Sequence, residues 1–129
     1  MLKKVVLENY NLNIDELELT YNKYNKPMFK EFEFNISHSN NVIAIIISSN
    51  KVGIDIQKVI EDVSLFSEKL DLPLDKYEVT KHLSALEAYY KMKGIGINRS
   101  YLKEKVNVNK QEILTIDNKE YVLSICEEK

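Results

Sequence analysis

Phe34-Asn35-Ile36-Ser37-His38-Ser39, then Asn40-Asn41, then Val42-Ile43-Ala44-Ile45-Ile46-Ile47 is the stretch on which the fold turns. Apolar and polar residues alternate from Phe32 to Ser37, the period of a strand. The asparagine pair is turn chemistry. The run after it is β-branched at nearly every position and has no polar side, so a strand buried on both faces is expected. Ser49-Asn50 turns the chain again. Val52-Gly53-Ile54-Asp55-Ile56 follows as another strand, with Asp55 opposite Val52, Ile54 and Ile56.

Upstream, Leu17-Glu18-Leu19-Thr20-Tyr21 alternates like a strand, Asn22 to Asn25 is a turn, and Lys26-Pro27-Met28-Phe29 is the returning strand. Downstream the period changes. From Ile60 to about Lys93 it is helical, broken at Asp71-Leu72-Pro73. Asp75 or Thr80 caps the second helix, and Gly94 ends it. Ile113 to Ile116 and Tyr121 to Cys126 then flank Asp117-Asn118-Lys119 as a hairpin. The fold class is α+β, an antiparallel sheet with packed helices, and residues 1–129 read as a single domain.

Bulk properties narrow the function. Of the 129 residues, 44% are hydrophobic and 29% charged, the balance of a globular protein. A net charge of −2 argues against a nucleic-acid partner, so any polyanion site must be a local basic cluster. The longest apolar run, Val42 to Ile47, is too short to span a bilayer, and Glu8 and Asn9 stop the run after Met1-Leu2-Lys3-Lys4. Cys126 is the single cysteine and sits in an apolar strand, which favours a buried residue and a reducing compartment. A cytoplasmic protein without a membrane partner is expected.

Three segments carry candidate chemistry. Asn35 to Asn40 is a dense polar cluster following a strand. Its hydroxyls, imidazole and loop N–H groups suit an anion, though a simple turn has the same composition. Asp55 lies in an apolar strand, so either a cation partners it or the strand has one wet face. Gly53 beside it permits close approach of backbone or ligand. Glu87 and Lys91 share a helix face at i, i+4, which describes both an exposed ion pair and a metal-and-phosphate pair. Together the three suit a pyrophosphate-containing substrate with Mg²⁺.

Their order resembles the Sfp-type 4′-phosphopantetheinyl transferases. Lys26-Pro27, then Asn35 to Ser39, then Gly53-Ile54-Asp55-Ile56, then Glu87-Ala88-Tyr89-Tyr90-Lys91 with Gly94-Ile95-Gly96 follow that family's sequence of motifs over about residues 12–126. The resemblance implies a 4′-phosphopantetheinyl transferase-like fold, roughly one pseudo-repeat plus part of the preceding one. It implies Mg-dependent transfer of 4′-phosphopantetheine from coenzyme A to a serine of an acyl or peptidyl carrier protein. Asp55 and Glu87 would hold Mg²⁺, with Gln57 beside them. Lys91 would neutralise a phosphate oxygen. Ser37, His38 and Lys26 would contact the nucleotide, and Glu87 or a metal-bound water would take the serine's proton.

The chain also departs from the family. Gln57 stands where the metal motif carries glutamate. Leu83 and Leu86 replace the tryptophan and lysine of the helix motif. Glu68 and Glu78 are the candidates for the acidic residue of the intervening helix. Most of the family's first half, with its basic residues, has no counterpart, and Lys3 and Lys4 are the basic residues left there. A homo-oligomer in which one chain completes another's cleft would restore it. The alternative is a catalytically impaired relative that binds coenzyme A or a carrier protein, or acts as a subunit.

Overall fold

The computed structural model describes residues 15, 17–73, 75–96 and 102–128, so Lys3 and Lys4 lie outside the described residues. β1 (Thr20–Tyr21) and β2 (Pro27–Met28) form a short antiparallel pair. Asn22 holds the turn between them, its Oδ1 accepting from the Tyr24 and Lys26 N–H groups at 2.8 and 3.0 Å. β3 (Glu33–Ser39) and β4 (Val42–Ser48) are a hairpin whose turn places Asn40 at φ 52°. Asparagine tolerates that left-handed conformation better than most residues. β5 (Val52–Lys58) precedes two helices, α1 (Ser64–Leu70) and α2 (Lys76–Lys93). β6 (Lys110–Ile116) and β7 (Lys119–Glu127) complete a three-stranded antiparallel sheet in the order β5-β7-β6. Asp117 and Asn118, at φ 51° and 63°, supply the paired left-handed residues that a two-residue hairpin turn requires.

α2 begins at Asp75, whose carboxylate accepts from the N–H groups of Tyr77 and Glu78 at 2.8 and 3.2 Å. Thr80 is no cap: it is buried within α2, and its Oγ1 accepts from Ile60 N at 3.0 Å. Gly94 closes the helix at φ 74°, with its N–H on Lys91 O at 3.0 Å. The helix packs across β5 and β7, and Val79, Leu86, Val52 and Val122 are all buried. Gly53 is where the two backbones meet. A Cβ there would lie 2.0 Å from Ala88 O and 2.5 Å from Met92 N. The close approach that glycine permits here is that of the helix backbone.

The β3–β4 hairpin joins the sheet without a backbone ladder. Asn35 Oδ1, Ser37 Oγ and Ser39 Oγ accept from the N–H groups of Ile54, Ile56 and Lys58 at 2.8, 3.0 and 3.1 Å. Side chains two residues apart on β3 thus meet N–H groups two residues apart on the edge of β5. The strand expected to end at Ser37 runs on through His38 and Ser39, and Asn35, Ser37 and Ser39 satisfy a neighbour's backbone. One expectation fails. The apolar run of β4 is not buried on both faces, because Ile43 is 60% exposed and Ser48 is its one buried residue. β4 pairs only with β3 among the described residues.

Candidate functional site

Strand alternation sends Asn35, Ser37 and Ser39 towards β5 and leaves Ile36 and His38 on the other face of β3. On β5 it places Asp55 and Gln57 together. α2 brings Glu87 and Lys91 over the same strand. The result is a cavity of about 540 Å³ walled by Ser37, His38, Asp55, Gln57, Glu87 and Lys91, with Lys58 at its edge. Six of the seven residues singled out in the sequence line this one space. The seventh, Lys26, lines a neighbouring hollow of about 240 Å³ with Tyr24, Ile36 and Gly94, and Lys91 borders both.

Asp55 is not on a wet face. It is 5% exposed, and its Oδ2 is buried with no hydrogen-bond partner. Burial pushes its carboxyl up to about 6, against hydrogen bonds from Ser84 and Gln57 and the charge of Lys91, while Glu87 adds to the rise. An orphaned buried carboxylate oxygen costs free energy unless something pairs with it. Among the described residues, no group of three His, Cys, Asp or Glu side chains gathers as a metal cage. The donors at hand are two carboxylates and the Gln57 amide, which fit a hard cation that takes its other ligands from water and phosphate.

The two lysines are used more structurally than their type suggested. Lys91 Nζ donates to Ile36 O at 3.1 Å and to Ile54 O at 3.0 Å, clamping β3 to β5. An ammonium has three donors, so one N–H remains for the cavity. Desolvation lowers its pKa, and Asp55 and Glu87 oppose that. Lys26 Nζ donates to Lys91 O at 2.8 Å, at the carbonyl end of α2 where a cation is favourable. Burial lowers its pKa too, partly offset by Glu33. Ser37 accepts a strand N–H, which leaves its own proton for another acceptor.

The helix-motif departures also find places. Leu86 is 1% exposed, a core residue. Leu83 packs on the Val63, Leu70 and Val79 cluster. Glu68 and Glu78 are exposed on α1 and α2 and do not wall the cavity. Sequence reasoning missed Ser124, the register partner of Asp55, and Ser84, whose Oγ lies 2.8 Å from that of Ser124, both fully buried. Their signal was weak, since each is a lone serine in an otherwise apolar stretch. No protein-family model matches the chain, and no curated protein matches it.

Proposed function

We propose that the chain binds coenzyme A with Mg²⁺ and transfers its 4′-phosphopantetheine arm to a serine of an acyl or peptidyl carrier protein. The observation that carries this is the convergence of Asp55, Gln57, Glu87, Lys91, Ser37 and His38 on one cavity, beside a buried Asp55 Oδ2 that has no hydrogen-bond partner. The motif order supplies the substrate class. Mg²⁺, when bound, neutralises the pyrophosphate and stabilises the charge that develops on the leaving phosphate. Asp55 and Glu87 hold it, with Gln57 as a neutral oxygen ligand.

The rest of the work falls to positioning and charge. Lys91 offers its remaining N–H to a phosphate oxygen. His38 and Ser37 wall the side where the nucleotide lies, and Lys26 adds positive charge from the adjoining hollow. The carrier serine oxygen forms a bond to the phosphorus that bears the pantetheine arm. The bond from that phosphorus to the bridging oxygen breaks, and adenosine 3′,5′-bisphosphate leaves with the electron pair. Glu87 accepts the serine proton.

The test is to mix the protein with coenzyme A, Mg²⁺ and several apo carrier proteins and to weigh the carriers by mass spectrometry. The mass of the added arm, absent with Asp55→Ala and Glu87→Ala, is the expected result. Unmodified carriers together with retained coenzyme A binding would favour the second reading, a binding protein without turnover. That reading draws on Leu86: the motif's lysine position contributes to the core and supplies no cation.

A further inference from the structure

Lys91, Lys26 and Lys58 stand at or beside the cavity, and they differ in how many donors are already spent. Lys91 Nζ donates to Ile36 O and Ile54 O. Lys26 Nζ donates to Lys91 O at 2.8 Å and reaches Val52 O at 3.5 Å, and it lines the adjoining hollow. Lys58 lines the cavity itself. Among the described residues its Nζ makes no hydrogen bond and no ion pair. An ammonium has three donors, and Lys58 keeps all of them for solvent or a ligand.

The edge of β5 explains this division. Alternate residues of an antiparallel strand turn their backbone groups away from the partner strand, here Val52, Ile54, Ile56 and Lys58 away from β7. The outward N–H groups of Ile54, Ile56 and Lys58 go to Asn35, Ser37 and Ser39. The outward carbonyls of Val52 and Ile54 take the ammonium groups of Lys26 and Lys91. Those two lysines are committed to tying β5 to its neighbours. Lys58 is held through its backbone alone. Its N–H is on Ser39 Oγ at 3.1 Å, and the next residue, Val59, donates to Glu120 O at 2.9 Å. The chain is thus anchored on both sides at Lys58, while the residue itself is exposed.

Charge balance points the same way. Counting lysines and carboxylates alone, Asp55 and Glu87 set two negative charges against the one positive charge of Lys91 in the cavity wall. A divalent cation turns that shortfall of one into an excess of one. The pyrophosphate of coenzyme A is a diester and carries two negative charges. One further cation makes the loaded site neutral, and Lys58 is the other lysine of the wall.

We infer that Lys58 is a phosphate-binding residue of the cavity, while Lys91 and Lys26 serve chiefly to build its wall. This rests on the coenzyme A reading above. Loss of Lys91 takes stability and affinity together. Loss of Lys58 takes affinity alone.

The experiment titrates coenzyme A with Mg²⁺ into the full chain by calorimetry at low and high salt, with urea unfolding of each variant beside it. At about 0.05 M salt Lys58→Met should bind about tenfold more weakly than the parent chain, the low end for one charge-assisted hydrogen bond. The gap should shrink at about 0.5 M salt as screening grows. Lys58→Arg keeps the charge and should stay within about threefold of the parent. Both variants should keep the parent's urea midpoint, because Lys58 is exposed. Lys69→Met makes the same charge change at an exposed position of α1 outside the cavity wall and controls for the general field. Parent chain that binds, with Lys58→Met binding as tightly, overturns this inference alone. So does a loss in Lys69→Met as large as that in Lys58→Met. Parent chain that takes up no coenzyme A overturns the reading of the cavity and this inference with it.

Discussion

Replacing Asp55 with asparagine should stabilise the metal-free protein at neutral pH. The carboxyl of Asp55 is raised from the ordinary 3.8 to about 6, chiefly by burial. An acid whose folded pKa lies above its unfolded pKa binds its proton more tightly when folded. Its stabilising contribution is complete below pH 3.8 and is lost as the pH rises to about 6. At about 1.4 kcal/mol per pH unit, that interval corresponds to a loss of about 3 kcal/mol. Asparagine keeps the shape and carries no charge, so Asp55→Asn avoids the loss. Urea unfolding in EDTA from pH 4 to 8 should show the two proteins close at pH 4. They should diverge in favour of the variant above pH 6, by up to about 3 kcal/mol. Mg²⁺ at a hundred times its Kd should then return about 2.7 kcal/mol to the parent chain and nothing to the variant. Parallel pH profiles, or a variant less stable at pH 7, would refute the claim that Asp55 is a buried charge without full compensation.

Gly53→Ala forces a Cβ into the Ala88 carbonyl, and helix backbone cannot rotate away as a side chain can. A loss of about 1–3 kcal/mol or more is expected, read as a lower urea midpoint, together with weaker Mn²⁺ binding as Glu87 moves off Asp55. Ser37→Ala leaves the buried Ile56 N–H without its acceptor and should lower stability by about 1–3 kcal/mol in the same assay. Asp75→Ala removes the N-cap of α2, with an expected loss of about 1 kcal/mol by thermal unfolding and no effect on cation affinity. Lys91→Met keeps the length of the side chain but frees the Ile36 and Ile54 carbonyls. Pyrophosphate binding and hairpin protection in amide exchange should fall together.

Much of the site was legible because its residues carry local signals. Asp55 breaks an apolar strand, Glu87 and Lys91 mark one helix face, and Gly94 stops the helix where the pattern ends. The fold class followed from the same periodicities. The misreadings share a cause, which is tertiary pairing. Asn35, Ser37 and Ser39 have the composition of a turn, yet their acceptors match the N–H spacing of a strand nineteen residues later in the chain. β4 has the composition of a central strand, yet among the described residues it pairs only with β3, and Ile43 is exposed. Asp55 looked like the wet side of an alternating strand because nothing local announces that α2 covers it. Ser124 and Ser84 became visible only once register set Ser124 opposite Asp55 and helix packing brought Ser84 against Ser124.

Equilibrium binding of inorganic pyrophosphate, measured calorimetrically with and without Mg²⁺, tests the central claim most directly. The account predicts binding that requires Mg²⁺ and disappears in both Asp55→Asn and Glu87→Gln while both variants remain folded. Binding that is independent of Mg²⁺, or that survives in either variant, would contradict it.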